Sequence, residues 1–145
     1  GNVVTPYVQE VQKLVEKAGE RVKFTGYIEN QKLYRYYQSA DIQVIPSLWE
    51  EAAGLIAIEG MLSGLPLIIT KSGGMIEYAP SNVAVWIDRD NIIPNLEAAI
   101  IQLADDKEKR KEMSELSLEQ AKEFPKKKFY EDYIEVFEHE RIGER

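Results

Sequence analysis

The sequence predicts an α/β fold: a parallel sheet flanked by helices, with a helical tail at the C-terminus. Three observations carry this expectation. Helix-like and strand-like patterns alternate without a break from Thr5 to Ala104. Two short apolar runs, Ile42 to Ile45 and Leu67 to Ile69, bracket a segment that reads as a helix from near Gly54 to Gly64. Strand, helix, strand in that order implies a parallel pair joined by a right-handed crossover. Beyond Ala104 the strand patterns stop and charged helical ones follow.

Each element has a local reason. Thr5 is a good N-cap and Pro6 suits the first helical position. Val8, Val11, Leu14 and Val15 then recur on one helical face as far as Gly19. Val22 to Thr25 reads as a strand, closed by Gly26. Asn30 is placed to cap a helix with apolar positions Leu33, Tyr34, Tyr36 and Tyr37. Three tyrosines there suggest either a stacking platform for bases or a helix packed on the sheet with hydroxyls reaching the rim. The second reading is preferred.

Pro66 stops the central helix just after Gly64. Thr70-Lys71-Ser72-Gly73-Gly74 is a second loop at a strand's carboxyl end, with a short helix, Met75 to Ala79, behind it. Its two glycines permit a tight turn and close backbone approach, and Lys71 reads as solvated. Val83 to Ile87 is a further strand. Asn91 is placed to cap a helix to Ala104 whose apolar face is Leu96, Ala99, Ile100 and Leu103, with Pro94 tolerated in its first turn. Asp105 or Asp106 starts another, with Met113, Leu116 and Ala121 inward, broken at Phe124-Pro125. A last helix carries Phe129, Tyr130, Tyr133, Ile134 and Phe137. These elements make one domain over 1–145, an α/β core over 1–104 and C-terminal helices over 105–145.

Composition narrows the function. At 145 residues and 44% hydrophobic the chain can bury a core. No apolar run approaches a bilayer span and no signal-peptide pattern opens it. The absence of cysteine excludes a disulfide framework and thiol metal sites, and is compatible with a reducing cytosol. Its one histidine, His139, lies in a charged segment and reads as a solvated surface residue. A net charge of −7 argues against nucleic acid as a partner. Lys126-Lys127-Lys128 beside aromatics invites an anionic membrane, but three lysines followed by acidic residues read better as a solvated helix start.

The stretch from Pro46 to Pro66 holds the candidate site. In such sheets ligands bind outside the carboxyl ends of the strands, where the loop Ser47 to Ala53 falls. The first turn of the next helix has unpartnered N–H groups and a dipole that favours an anion. Gly54 permits close approach, and Ala52, Ala53 and Ala57 add little bulk. Glu59 leans back toward the helix start and Glu51 stays in the loop. Ionised carboxylates accept hydrogen bonds only, so beside a phosphate site they suit hydroxyls. A nucleotide-sugar, with a diphosphate between two sugars, meets both demands.

Glu51 and Glu59, seven residues apart, resemble the E-x7-E motif of the family 4 (group 1) retaining glycosyltransferases with the GT-B fold. Pro46-Ser47, Gly54-Leu55, Glu59 to Pro66 and Gly73-Gly74-Met75-Ile76-Glu77 are similar to that family's run in order and spacing, as are Val22 to Ile28 and Ser39-Ala40-Asp41. Departures are Ala52-Ala53 before the glycine and Gly60 for a usual alanine. A lone pair of glutamates at this spacing would be weak; several segments in register make it specific.

The resemblance implies a Rossmann-like donor-binding domain, the C-terminal half of GT-B. It implies transfer of a hexose from a nucleotide-diphosphate sugar, with uridine the default base, to a glycan, lipid or other acceptor. Glu59 would grip the ribose hydroxyls and Glu51 would face the transferred sugar as the catalytic-site glutamate. Ser47 and Ala53 would be substrate-binding, backbone N–H groups around Gly54 and Leu55 would face the phosphates, the backbone near Tyr27 and Ile28 the base edge, and Gly73 and Gly74 would wall the sugar pocket. No metal or cofactor is implied, since helix dipole and basic residues meet the diphosphate charge. The family's basic pair and its acceptor-binding N-terminal domain lie before the point where this sequence begins, so the segment alone is expected to be inactive. The family's C-terminal helix often crosses back onto that domain, and Phe129 to Phe137 would belong to such a surface. A cytoplasmic location, with peripheral contact at the inner face of a membrane, and a role in cell-envelope polysaccharide are further expectations. Other readings stay open: a non-catalytic coat or assembly protein of the same fold, or a GT-B epimerase. A dinucleotide-binding oxidoreductase is disfavoured because no G-x-G-x-x-G turn follows a strand.

Overall fold

The computed structural model describes residues 6–50 and 54–124, apart from the side chain of Gln31. Outside the described residues fall Thr5 as a cap, Glu51, Ala52 and Ala53, the Pro125 break, Lys126 to Lys128, the aromatic face Phe129 to Phe137, and His139. The chain divides into two compact units, 1–33 and 34–145.

In the first unit, α1 (Pro6–Ala18) ends at Gly19, whose φ of +62° opens a 3-10 turn, Gly19–Arg21. The strand expected at Val22 to Thr25 is absent: residues 22–29 are neither helix nor strand. Phe24 is 69% exposed there. Apolar, β-branched residues suit a strand, but a strand exists only through a ladder, and none of the described strands pairs with this segment. α2 (Asn30–Ser39) follows; Asn30 is its first residue and not the residue before it.

The second unit holds a three-stranded parallel sheet in the order β1 (Gln43–Ile45), β2 (Leu67–Thr70), β3 (Ala84–Ile87). Gln43 stands opposite Leu67, and Leu67 opposite Ala84. β2 is central and buried throughout, which explains why it reads as an unbroken apolar run. Side-chain alternation gives each face its own core. Leu67, Ile69 and Ala84 pack with Ile45, Ala57, Met61, Met75 and Ala121 on one face. Ile68 and Ile87 pack with Ala99, Leu103 and Met113 on the other.

Helices cover both faces. α3 (Leu55–Leu62) and the short α4 (Met75–Tyr78) follow β1 and β2. α5 (Ile92–Asp105) lies against β3 and β2, and α6 (Lys107–Ala121) against α3. Asp106 caps α6 by accepting from the Lys109 N–H at 2.8 Å. Asn91 does not cap α5 with its side chain. It takes a left-handed conformation, φ +57°, which asparagine tolerates and which turns the chain into the helix. Met113 and Ala121 are buried as their spacing predicts, and Ser117 is fully buried between them. Its hydroxyl donates to the Leu65 carbonyl at 2.9 Å, tying the last described helix to the loop after α3.

Candidate functional site

The site is built where the loops after β1 and β2 meet. Pro46 to Glu50 leaves β1 exposed to solvent except at Ser47, yet side chains from the β2 side hold its backbone. The buried Thr70 hydroxyl donates to the Ser47 carbonyl at 2.5 Å, and the buried Ser72 hydroxyl to the Trp49 carbonyl at 2.6 Å. The Gly73 N–H donates to Glu50 Oε2 at 2.8 Å. From the loop after β3, the Arg89 guanidinium pairs with Glu50 and also reaches the Leu48 carbonyl. Arg89, and secondly the Gly73 N–H, hold the Glu50 carboxyl below its ordinary range. Three strand-end loops are thus tied to one another at the carboxyl edge of the sheet.

Gly54 opens α3 in the left-handed region, φ +49°, and is buried. A Cβ on it would lie 2.8 Å from Met75 Cγ and 3.2 Å from Met75 Cα. The start of α3 therefore presses on the start of α4, and only glycine satisfies both the dihedral and the space. The N–H groups of Leu55 and Ile56 sit in the first helical turn, which has no intrahelical acceptors, while Ala57 N–H closes onto Gly54 O at 2.8 Å. Leu55 is 54% exposed, so this turn faces outward at the sheet's carboxyl edge.

One turn on, Glu59 projects an exposed carboxylate. Its Oε2 accepts a 2.9 Å hydrogen bond from the Tyr37 hydroxyl. Burial, and then the neighbouring carboxylate, push the Tyr37 phenol up to about 12. Of the expected residues, Ser47, Gly54, Leu55, Glu59, Gly73 and Gly74 belong to this compact unit. Glu51 and Ala53 lie outside the described residues. Tyr27 and Ile28 lie in the first unit, where Tyr27 is 90% exposed.

Some expectations change. Lys71 is not simply solvated; it pairs with Asp88 at 2.7 Å. Gly73 has φ +47° and needs glycine, but Gly74 at φ −66° is in a region any residue adopts. The loop's tightness rests on one glycine, and the Gly73 N–H is already bonded to Glu50. Glu50, Arg89, Thr70, Ser72 and Gln43 were not singled out from the sequence. Single polar residues flanking strands carry no periodic signal, and what they touch is 13 to 41 residues away.

A three-stranded parallel sheet with helices on both faces and its strand-end loops tied together at the carboxyl edge defines an α/β domain of Rossmann-like type. The profile of the glycosyl transferases group 1 matches residues 5–120. The chain belongs to that family. A D-inositol 3-phosphate glycosyltransferase of Corynebacterium diphtheriae is 32% identical over 105 residues, 72% of this chain and 24% of that protein. Spore coat protein SA of Bacillus subtilis is 27% identical over 142 residues, 97% of this chain and 38% of that protein. Sucrose-phosphate synthase from Thermosynechococcus elongatus superposes with a TM-score of 0.82 at 24% identity, over 94% of this chain and 35% of that one. The fold is that of a GT-B domain, Rossmann-like as expected. The chain spans 14% to 38% of the length of the curated relatives it matches. Among the described residues no helix is long and apolar enough to cross a membrane.

Proposed function

We propose that this chain is the donor-binding part of a retaining glycosyltransferase that moves a hexose from a nucleotide-diphosphate sugar to a glycan, lipid or other acceptor. The observation that carries the reading is the placement of Glu59 one turn inside a helix whose N-terminus opens at the carboxyl edge of a parallel sheet, in a chain of this family. Glu59 accepts from the ribose hydroxyls, Glu51 from hydroxyls of the transferred sugar, and the N–H groups around Gly54 and Leu55 meet the phosphates. The loop at Gly73 and Gly74 walls the sugar. Departure of the diphosphate needs its charge stabilised, and transfer needs an acceptor hydroxyl held beside the anomeric carbon. In front-face retaining transfer the leaving phosphate itself helps remove the acceptor's proton. The reading calls on no resident metal. It places the acceptor on a further domain of a longer protein, at the cytoplasmic face of a membrane.

Calorimetric titration with UDP, GDP and UDP-sugars tests it. Binding of one nucleotide, weakened at least about tenfold by Glu59→Ala as expected for a charged hydrogen bond, supports the donor site. Absence of binding, both in this chain and in a longer protein that contains it, overturns the reading. A second reading, a non-catalytic assembly protein, is favoured by the similarity to spore coat protein SA over 97% of the chain. Nucleotide binding without transfer to any acceptor by the longer protein would select it.

A further inference from the structure

We propose that Tyr37 is a positioning residue for ribose recognition: its hydroxyl fixes the carboxylate of Glu59 so that one oxygen stays turned to the vicinal diol of a ribonucleoside diphosphate. The inference deepens the donor-site reading and rests on it. Tyr37 lies on α2 and Glu59 on α3, and their 2.9 Å hydrogen bond joins positions 22 apart in the chain. The two partners differ in how they are held. The Tyr37 ring packs against the core cluster of Ile45, Ala57 and Met61, whereas Glu59 is exposed. The core fixes the phenol, and the phenol fixes the carboxylate.

A third element is tied to α3 nearby. Gln43 on β1 donates its Nε2 to the Ile56 carbonyl at 3.1 Å. Gly60 makes room for it: a Cβ there would lie 1.7 Å from Gln43 Oε1. The departure from alanine at position 60 thus has a steric reason. With its phenol pushed up to about 12, Tyr37 remains a donor through neutral pH. It occupies Oε2 alone, and an ionised carboxylate accepts on both oxygens. An exposed glutamate held in one rotamer before the ligand arrives loses less conformational freedom when it binds.

The test is the ratio of ribose to 2′-deoxyribose affinity, read by calorimetry on the full chain with UDP, GDP, ADP and their 2′-deoxy forms. The wild-type chain is expected to prefer the ribonucleotide by about tenfold, as a hydrogen bond to a charged group allows. Tyr37→Phe, nearly isosteric, should shrink that ratio about threefold or more and leave the deoxynucleotide affinity unchanged. Glu59→Asp keeps the charge but withdraws it from the phenol, so it should narrow the ratio too, and it serves if the phenylalanine variant does not fold. An equal loss for both sugars on Tyr37→Phe, or an unchanged ratio in a chain where Glu59→Ala abolishes the preference, overturns the role of Tyr37 alone. No nucleotide binding by this chain and by a longer protein that contains it overturns the donor-site reading together with this inference, whereas binding without ribose preference overturns this inference alone.

Discussion

At its C-terminal end α3 is closed by bonded partners, and at its N-terminal end it is closed by close packing. After Leu62 the chain makes the bonds of a Schellman turn: Gly64 N–H to Met61 O at 2.9 Å and Leu65 N–H to Gly60 O at 3.0 Å, with Gly64 at φ +70°. Ser63 Oγ adds a bond to Glu59 O, and Ser117 of α6 takes the Leu65 carbonyl. Before Leu55, Gly54 brings no side chain to cap the first turn, and Met75 fills the space where one would be. One end satisfies its backbone within the protein. The other leaves first-turn N–H groups in a shape fixed from behind, which is what binding an anion there requires.

The largest expected effect comes at the packed end. Gly54→Ala forces a left-handed alanine against Met75, and strain plus overpacking should cost about 2–4 kcal/mol. Denaturant unfolding measures the cost, and nucleotide affinity should fall with it. A wild-type midpoint would show that close approach does not set this end. At the bonded end, Ser117→Ala leaves the Leu65 carbonyl without its hydroxyl partner and should cost about 1–3 kcal/mol. Affinity should stay unchanged; a parallel loss of binding would erase the division between the ends.

Between them, Gly60→Ala should cost about 1–2 kcal/mol, because the added methyl strikes the Gln43 tip and also comes within 2.9 Å of Cδ2 of the buried Leu67. Combined with Gln43→Ala, the loss should be smaller than the sum of the two single changes. Additive losses would show that Gln43 does not occupy that space.

Two pH effects sharpen the comparison further. The folded chain holds the Tyr37 proton more tightly than the unfolded chain does. The stability from this group is therefore complete below pH 10 and disappears as pH rises toward about 12. The stability difference between wild type and Tyr37→Phe should shrink over that window. Glu50 has the opposite sign. Its carboxyl is held below the ordinary 4.5 by Arg89 and Gly73, so its contribution is present above that value and fades as pH falls. It is exposed, so the effect is the smallest, read as a carboxyl NMR titration midpoint that rises toward the ordinary value in Arg89→Ala.

Residues 22–29 show where reading the chain locally fails. Val22 to Thr25 has the side chains of a strand, and β2 has them too, but only β2 has a ladder on each side. Propensity is local, whereas strand pairing is settled by which segments come together. The same limit hid Glu50 and Arg89, whose bonds span 23 and 39 residues.

By itself the sequence determined the βαβ order, the helix bounded by Gly54 and Gly64, the position of Glu59, and the family. Each follows from short-range facts: periodicity, the dihedral freedom of glycine, the stop imposed by proline, and fixed spacing along one helix. Only the tertiary structure decided that Gly54 is pressed by Met75 and that Gly60 yields to Gln43. It alone joined Glu50 to Arg89 and gave Glu59 its tyrosine. These contacts depend on side-chain volumes and donor directions meeting across elements, and no pattern along a single segment encodes such meetings.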